Sequence, residues 1–217
     1  PYDNPAPERW AQLVGGRVGA EAVKVLLMIV HGAGSDLPIA TRQTVLEIPR
    51  RKPSPERLME AMDLIEKDPK VAGVTEWTFA KEIAMLDHLI KKEPVAKVEV
   101  QAIQVGPAVF VTNPAEYFVQ YGLDIKKGSP FPFTFPVELA NDCVGYVPTE
   151  EAFGPNGGGY ETRLTAYSNL ATNAGRLIAE AGIRLSKELT PGKVPEPPKA
   201  PVFRTPWTYG NVPPEVR

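Results

Sequence analysis

Lys97-Val-Glu-Val-Gln-Ala-Ile-Gln-Val105 alternates apolar and polar residues, Gly106-Pro107 follows, and Ala108-Val-Phe-Val-Thr112 is almost wholly apolar. Period-two alternation is the mark of a strand with one buried face, and Gly-Pro is turn chemistry. A short run of β-branched and aromatic residues beyond the turn suits a more central strand. On either side the period changes. Asn113 to about Lys127 is expected to be helical, and Thr134-Phe-Pro-Val-Glu-Leu-Ala140 to return to strand. Upstream, Trp77 to Lys91 carries Phe79, Ile83, Leu86 and Ile90 at helical spacing. Ser54 can cap a helix from Pro55 to about Lys67, with Pro at the favoured first position. Thr41 to Ile48 resembles a strand, and Glu8 to about Val30 a helix with one buried face. A last helix is expected from about Ser168 to Leu189. Helices alternating with short apolar strands predict an α/β domain, a mixed sheet flanked by helices.

Composition narrows the function classes. The chain has 217 residues, 43% hydrophobic and 23% charged, as globular proteins do. Lys and Arg number 24 against 26 Asp and Glu, a net charge of −2 that offers no basic field for nucleic acid. The longest apolar run, Val25 to Val30, is too short for a transmembrane segment. Cys143 stands alone, so no intrachain disulfide forms, and its expected place is a small buried apolar site. Proline is the outlier, at 24 residues, about twice the ordinary share. Eight of the 27 residues from Pro191 onward are proline, so 191–217 is expected to be an extended tail. The chain begins at Pro1 with no initiator Met and no hydrophobic leader, which suggests a processed piece of a longer protein.

Few residues nominate themselves as chemistry. His31-Gly-Ala-Gly-Ser-Asp36 gathers His, Ser and Asp, but a triad is a constellation in space, and neighbours in sequence rarely face one another. Its plainer meaning is a helix end followed by a turn. His88 falls in a helical stretch beside Leu89 and is expected to be an ordinary packed or surface side chain. Asn113-Pro-Ala-Glu116 is a ready helix start, with Glu116 as a capping acid. Tyr146, between Gly145 and Pro148, suits an ordered loop or a strand end. Tyr160 follows three glycines and suits an exposed loop.

Gln101-Ala-Ile-Gln-Val-Gly106, Ala108-Val-Phe-Val111, Asn113-Pro-Ala-Glu-Tyr-Phe118, Phe135 to Thr149 and Gly159-Tyr-Glu161, in this order, resemble the neutral/alkaline non-lysosomal ceramidase family, most closely its bacterial ceramidase-like members. Asp3-Asn-Pro and Glu8-Arg9 with the first helix are similar to the segment that follows the family's nucleophile motif. The resemblance covers nearly all of 1–190, and corresponds to the C-terminal half of the family's catalytic domain. It implies a zinc-dependent hydrolase of N-acyl amides, with one zinc ion held by two His, one Glu and one Tyr, and with a Ser nucleophile. Glu116 matches the zinc-binding Glu, with Ala115 in place of the usual Gly. Tyr146, five residues after Asn141, matches the ligand Tyr. Tyr160, before Glu161, matches a Tyr that polarises the substrate carbonyl.

The two His and the Ser belong to the family's other half, so the resemblance implies a partner: the N-terminal half of the same precursor, or a second subunit, completing the sheet. It also implies a secreted or periplasmic protein of lipid metabolism. Two alternatives remain beside it. One is a non-catalytic scaffold or binding domain of the same fold, with Trp207 and Tyr209 of the tail as its contact element. The other is an amidase for a non-sphingolipid substrate. Zinc ligation places Glu116 and Tyr146 oxygens within about 4 Å of each other. Both residues follow strands, and neighbouring parallel strands would bring them out at one carboxyl edge. Tyr160 is expected at the rim of that cavity.

Overall fold

A computed structural model describes residues 6–29, 36–194, 196 and 214–216. The chain divides into two units, and Leu37–Val194 is the larger. The other holds helix α1, Pro7–Ile29. The apolar spacing does build this helix, but no residue of it is buried, and Val14, Val18 and Leu26 are all exposed. Periodicity sets an apolar stripe on a helix; it does not say what covers that stripe. The His31–Ser35 stretch and nearly all of the proline-rich tail, Trp207 and Tyr209 included, lie outside the described residues.

Within Leu37–Val194 the order is β1 (Ile39–Pro49), α2 (Pro55–Ile65), α3 (Pro69–Ala72), α4 (Val74–Lys92), β2 (Val95–Val105), β3 (Ala108–Thr112), β4 (Glu116–Tyr117), α5 (Val119–Gly128), β5 (Phe133–Val137), β6 (Tyr146–Val147) and α6 (Ala174–Lys187). The main sheet runs β1-β2-β3-β5. The first two pairings are antiparallel and the last is parallel. This is the mixed sheet flanked by helices that the alternating pattern predicts.

Alternation along β2 buries Ala96, Val98, Val100 and Ala102, and β3 adds Val109 and Val111. Ile178, Ala181 and Leu185 of α6 and Ile125 of α5 join them in one core. The helix comes close because Gly182 has no side chain; a Cβ there would sit 2.5 Å from Val111 Cγ1. Burial of this kind is the main favourable term in folding. Ala61, Ala80 and Ile83 form a second, smaller cluster where α2 meets α4. Ser54 caps α2 through the Arg57 N–H, with Pro55 following, as the sequence indicates.

The structure overturns the helix expected from Asn113. The Asn113 side chain accepts from the Ala115 N–H in a local turn, not as a helix cap. The Glu116 N–H bonds the Gly145 carbonyl, so Glu116 is a strand residue and not a capping acid. The helix starts only at Val119. The last helix likewise starts at Ala174 rather than Ser168, because the Ser168 N–H is taken by Thr165 Oγ1 and Leu170 bridges to Arg50. β5 ends at Val137, three residues short of the expected Ala140. Leu139 and Asn141 then take positive φ values of 50° and 69°, which no strand can hold. Cys143, expected inside, is exposed. It lies on the loop between β5 and β6, where Val144 beside it packs against the core and Cys143 faces the Tyr167 hydroxyl instead.

Candidate functional site

The parallel strands β3 and β5 end side by side, with Thr112 opposite Val137. Both chains continue beyond the carboxyl edge and meet again as a second, two-stranded parallel sheet. Its register places Glu116 opposite Tyr146 and Tyr117 opposite Val147. Backbone bonds stitch the approach: Asn113 N–H to the Val137 carbonyl, and Val144 N–H to the Pro114 carbonyl, both at 2.9 Å. Carboxyl edges are where α/β sheets place their sites. Opposite residues on adjacent strands project to the same side. Glu116 and Tyr146 therefore leave the sheet together.

Two further tyrosines close around them. A turn of 3-10 helix at Tyr160–Thr162 brings Tyr160 over Tyr146, hydroxyl to hydroxyl at 3.3 Å and rings edge to face with centroids 5.3 Å apart. Tyr167 packs against the same ring. Its ring lies 5.5 Å from that of Tyr146, and its hydroxyl donates to Glu116 Oε1 at 2.7 Å. Its phenol oxygen is also 3.1 Å from Cys143 Sγ. Tyr160 is 59% exposed and Tyr167 42%, so the cluster opens to solvent.

Hydrogen bonding to Tyr160 pushes the Tyr146 phenol above its ordinary range; loss of water and hydrogen bonding to the Glu116 carboxylate add to it. Tyr167 is raised as well, first by Cys143 and then by Glu116. A phenolate at either position would face the Glu116 charge, so both tyrosines stand as neutral donors. A divalent cation reverses this preference, because it favours the phenolate and the carboxylate together.

The structure thus brings Glu116, Tyr146 and Tyr160, the residues singled out by motif, into one cluster. The two oxygen donors Glu116 and Tyr146, adjacent in register, suit a hard or borderline cation such as zinc as half of a four-ligand set. Among the described residues no group of three or more His, Cys, Asp or Glu gathers to complete that set. His88 is exposed on α4 and does not join the cluster.

Tyr167 was not singled out by sequence motifs. Its local signal is Thr165, whose hydroxyl accepts from both the Tyr167 and the Ser168 N–H groups and fixes the turn. Arg51 is another such residue. Its guanidinium donates to the carbonyls of Leu170, Ser168 and Thr162 and lies 4.7 Å over the Phe153 ring. It fastens the segment that carries both tyrosines.

Beside the cluster runs a cleft of about 610 Å³, lined by Cys143, Tyr167, Val144 and Ala166 and by the charged residues Arg50, Glu93, Lys97 and Asp142. No helix among the described residues is long and apolar enough to cross a membrane. No family model matches the chain, and no curated protein matches it.

Proposed function

We propose that this chain supplies one edge of the active site of a zinc-dependent amide hydrolase resembling the neutral ceramidases. The observation that carries the reading is the register of β4 on β6. Glu116 and Tyr146, thirty residues apart and chosen by motif, stand opposite each other, with Tyr160 hydrogen-bonded to Tyr146. A bound zinc ion would act as a Lewis acid on the scissile carbonyl or on the nucleophile. Glu116 and Tyr146 would hold it from this side. Two His and a Ser from the N-terminal half of the precursor, or from a second subunit, would complete the site.

Tyr160 has a different task. Its hydroxyl is exposed and donates to Tyr146 at 3.3 Å, so it can turn from Tyr146 to the carbonyl oxygen of a bound N-acyl amide. A donor aimed at the developing oxyanion stabilises the transition state more than the ground state. Tyr146 orients it in the resting site.

The cleft favours a second reading of the substrate. Arg50, Glu93, Lys97 and Asp142 on its wall suit an amide with a polar or charged group better than two aliphatic chains. This keeps the reaction and changes the substrate to a non-sphingolipid amide.

The test uses the protein as purified with its second segment. Bound zinc is measured by elemental analysis, and a panel of N-acyl amides, ceramide included, is assayed for hydrolysis. Stoichiometric zinc and hydrolysis are expected. Glu116→Gln should lose about 10²-fold or more of activity and most of the zinc, with the circular dichroism spectrum retained. The fold survives because Gln still offers an oxygen to Tyr167 and the residue lies at a solvent-facing edge. Wild-type protein with neither zinc nor amidase activity would count for the scaffold alternative.

A further inference from the structure

We propose that Tyr167 is the positioning residue of this site: by donating to one oxygen of Glu116 it holds the carboxylate in a fixed pose and leaves the other oxygen for the ion. The proposal rests on the reading of Glu116 and Tyr146 as zinc ligands. Three contacts converge on the same side chain. The Tyr167 hydroxyl is 2.7 Å from Glu116 Oε1, its ring packs edge-on against Tyr146 at 5.5 Å, and its own oxygen is 3.1 Å from Cys143 Sγ. The two side chains proposed to bind zinc are thus both braced by one residue.

A glutamate at a surface edge has three rotatable bonds and turns freely unless something holds it. Here one oxygen is occupied by the Tyr167 hydroxyl, which donates to it at 2.7 Å. The backbone holds the phenol in its turn. The Tyr167 and Ser168 N–H groups bond Thr165 Oγ1, and the Ala166 N–H bonds Glu82 Oε2 on α4 at 3.1 Å. The Tyr167 carbonyl lies so close above Gly145 that a Cβ there would be 1.7 Å away. The residue before Tyr146 is therefore fitted to Tyr167. Partners of metal-binding carboxylates act in this manner, fixing the ligand and adjusting its basicity.

The experiment is a double-mutant cycle on zinc affinity, with Zn²⁺ as the probe, competed against a chromophoric chelator. The full protein is used with its second segment, as wild type, Tyr167→Phe, Glu116→Gln and the double variant. Phenylalanine keeps the ring and its contact with Tyr146 and removes the hydroxyl alone. Tyr167→Phe is expected to bind zinc about 10–100-fold more weakly than wild type. In the Glu116→Gln background the same change should matter by no more than about twofold, because the group it positions has already been altered. An equal loss in both backgrounds means general packing and overturns the proposal, as does a Tyr167→Phe protein that fails to fold. If wild type binds zinc, Glu116→Gln weakens it and Tyr167→Phe does not, the zinc site stands and the role of Tyr167 falls. If wild type binds no zinc, the zinc reading itself falls and takes this proposal with it.

Discussion

Gly145 shows how far a site can depend on a residue without chemistry. Its φ is +79°, in the region that side chains avoid, and its missing Cβ leaves room for the Tyr167 carbonyl. Its own carbonyl accepts the Glu116 N–H at 2.9 Å. One glycine thus locks the register of Glu116 on Tyr146 and admits Tyr167. Alanine there would strain the backbone and force the 165–168 turn outward. Gly145→Ala should cost about 2–5 kcal/mol, read from urea unfolding. On the zinc reading proposed above it should also weaken zinc binding, because the two oxygens no longer leave the sheet together. Unchanged unfolding would show that the loop yields at no cost. Asn141 plays a related part. It takes a positive φ of 69°, tolerated by Asn, and its amide donates to Glu99 Oε1 on β2 at 2.8 Å. The Asn at the head of the Tyr motif is therefore explained by backbone geometry.

At the scale of elements, the decisive piece is irregular. The segment from Tyr160 to Asn169 has one short turn of helix, yet it carries two of the four site residues. Side chains from β1's end and from α4 are among its anchors. Arg51, at the end of β1, donates to three of its carbonyls or their neighbours. Arg163 forms a two-pronged pair with Glu76 and lies 3.4 Å over the Phe79 ring, both on α4. Glu82 accepts the Ala166 N–H. Helix α4 thus acts as the frame for a loop more than seventy residues later. Partial burial holds the Arg51 guanidinium below its ordinary pKa, though it stays charged. Lysine cannot reach three carbonyls in one plane, so Arg51→Lys should destabilise by about 2–4 kcal/mol. Amide exchange should rise across 160–170 and leave β2 and β3 as before. Exchange that rises evenly over the whole unit would mean that Arg51 supports the core and not the loop.

At the scale of the molecule, the two hydrophobic clusters among the described residues differ in size and in what they secure. The larger joins the sheet to α5 and α6, and the smaller holds α2 to α4. Regions with few buried apolar contacts open at lower free energy than the main core. Native-state hydrogen exchange should therefore find the slowest amides in β2, β3 and α6, and clearly faster ones in α2. Since α4 frames the tyrosine loop, site residues would then loosen before the sheet does. Equal protection of α2 and β2 would instead make Leu37–Val194 a single cooperative unit.

What the sequence determined by itself was the regular part: the alternation of 97–105, the turn at Gly106, the apolar 108–112 and the capped start of α2. Each rests on local periodicity or on one residue's backbone preference, and both are written in adjacent letters. The motif resemblance also pointed to Glu116, Tyr146 and Tyr160 and led to the expectation that they meet, but not to how the backbone brings them together. Tertiary structure decided that, by drawing β4 out of a stretch whose letters favour a helix start and pairing it with β6. The competition was settled by a backbone bond from Glu116 to Gly145, a partner 29 residues away that no local pattern can announce. The same holds for Tyr167, Arg51 and the exposure of Cys143. Their roles come from contacts between segments distant in the chain, and such contacts exist only once the sheet has brought its carboxyl edge together.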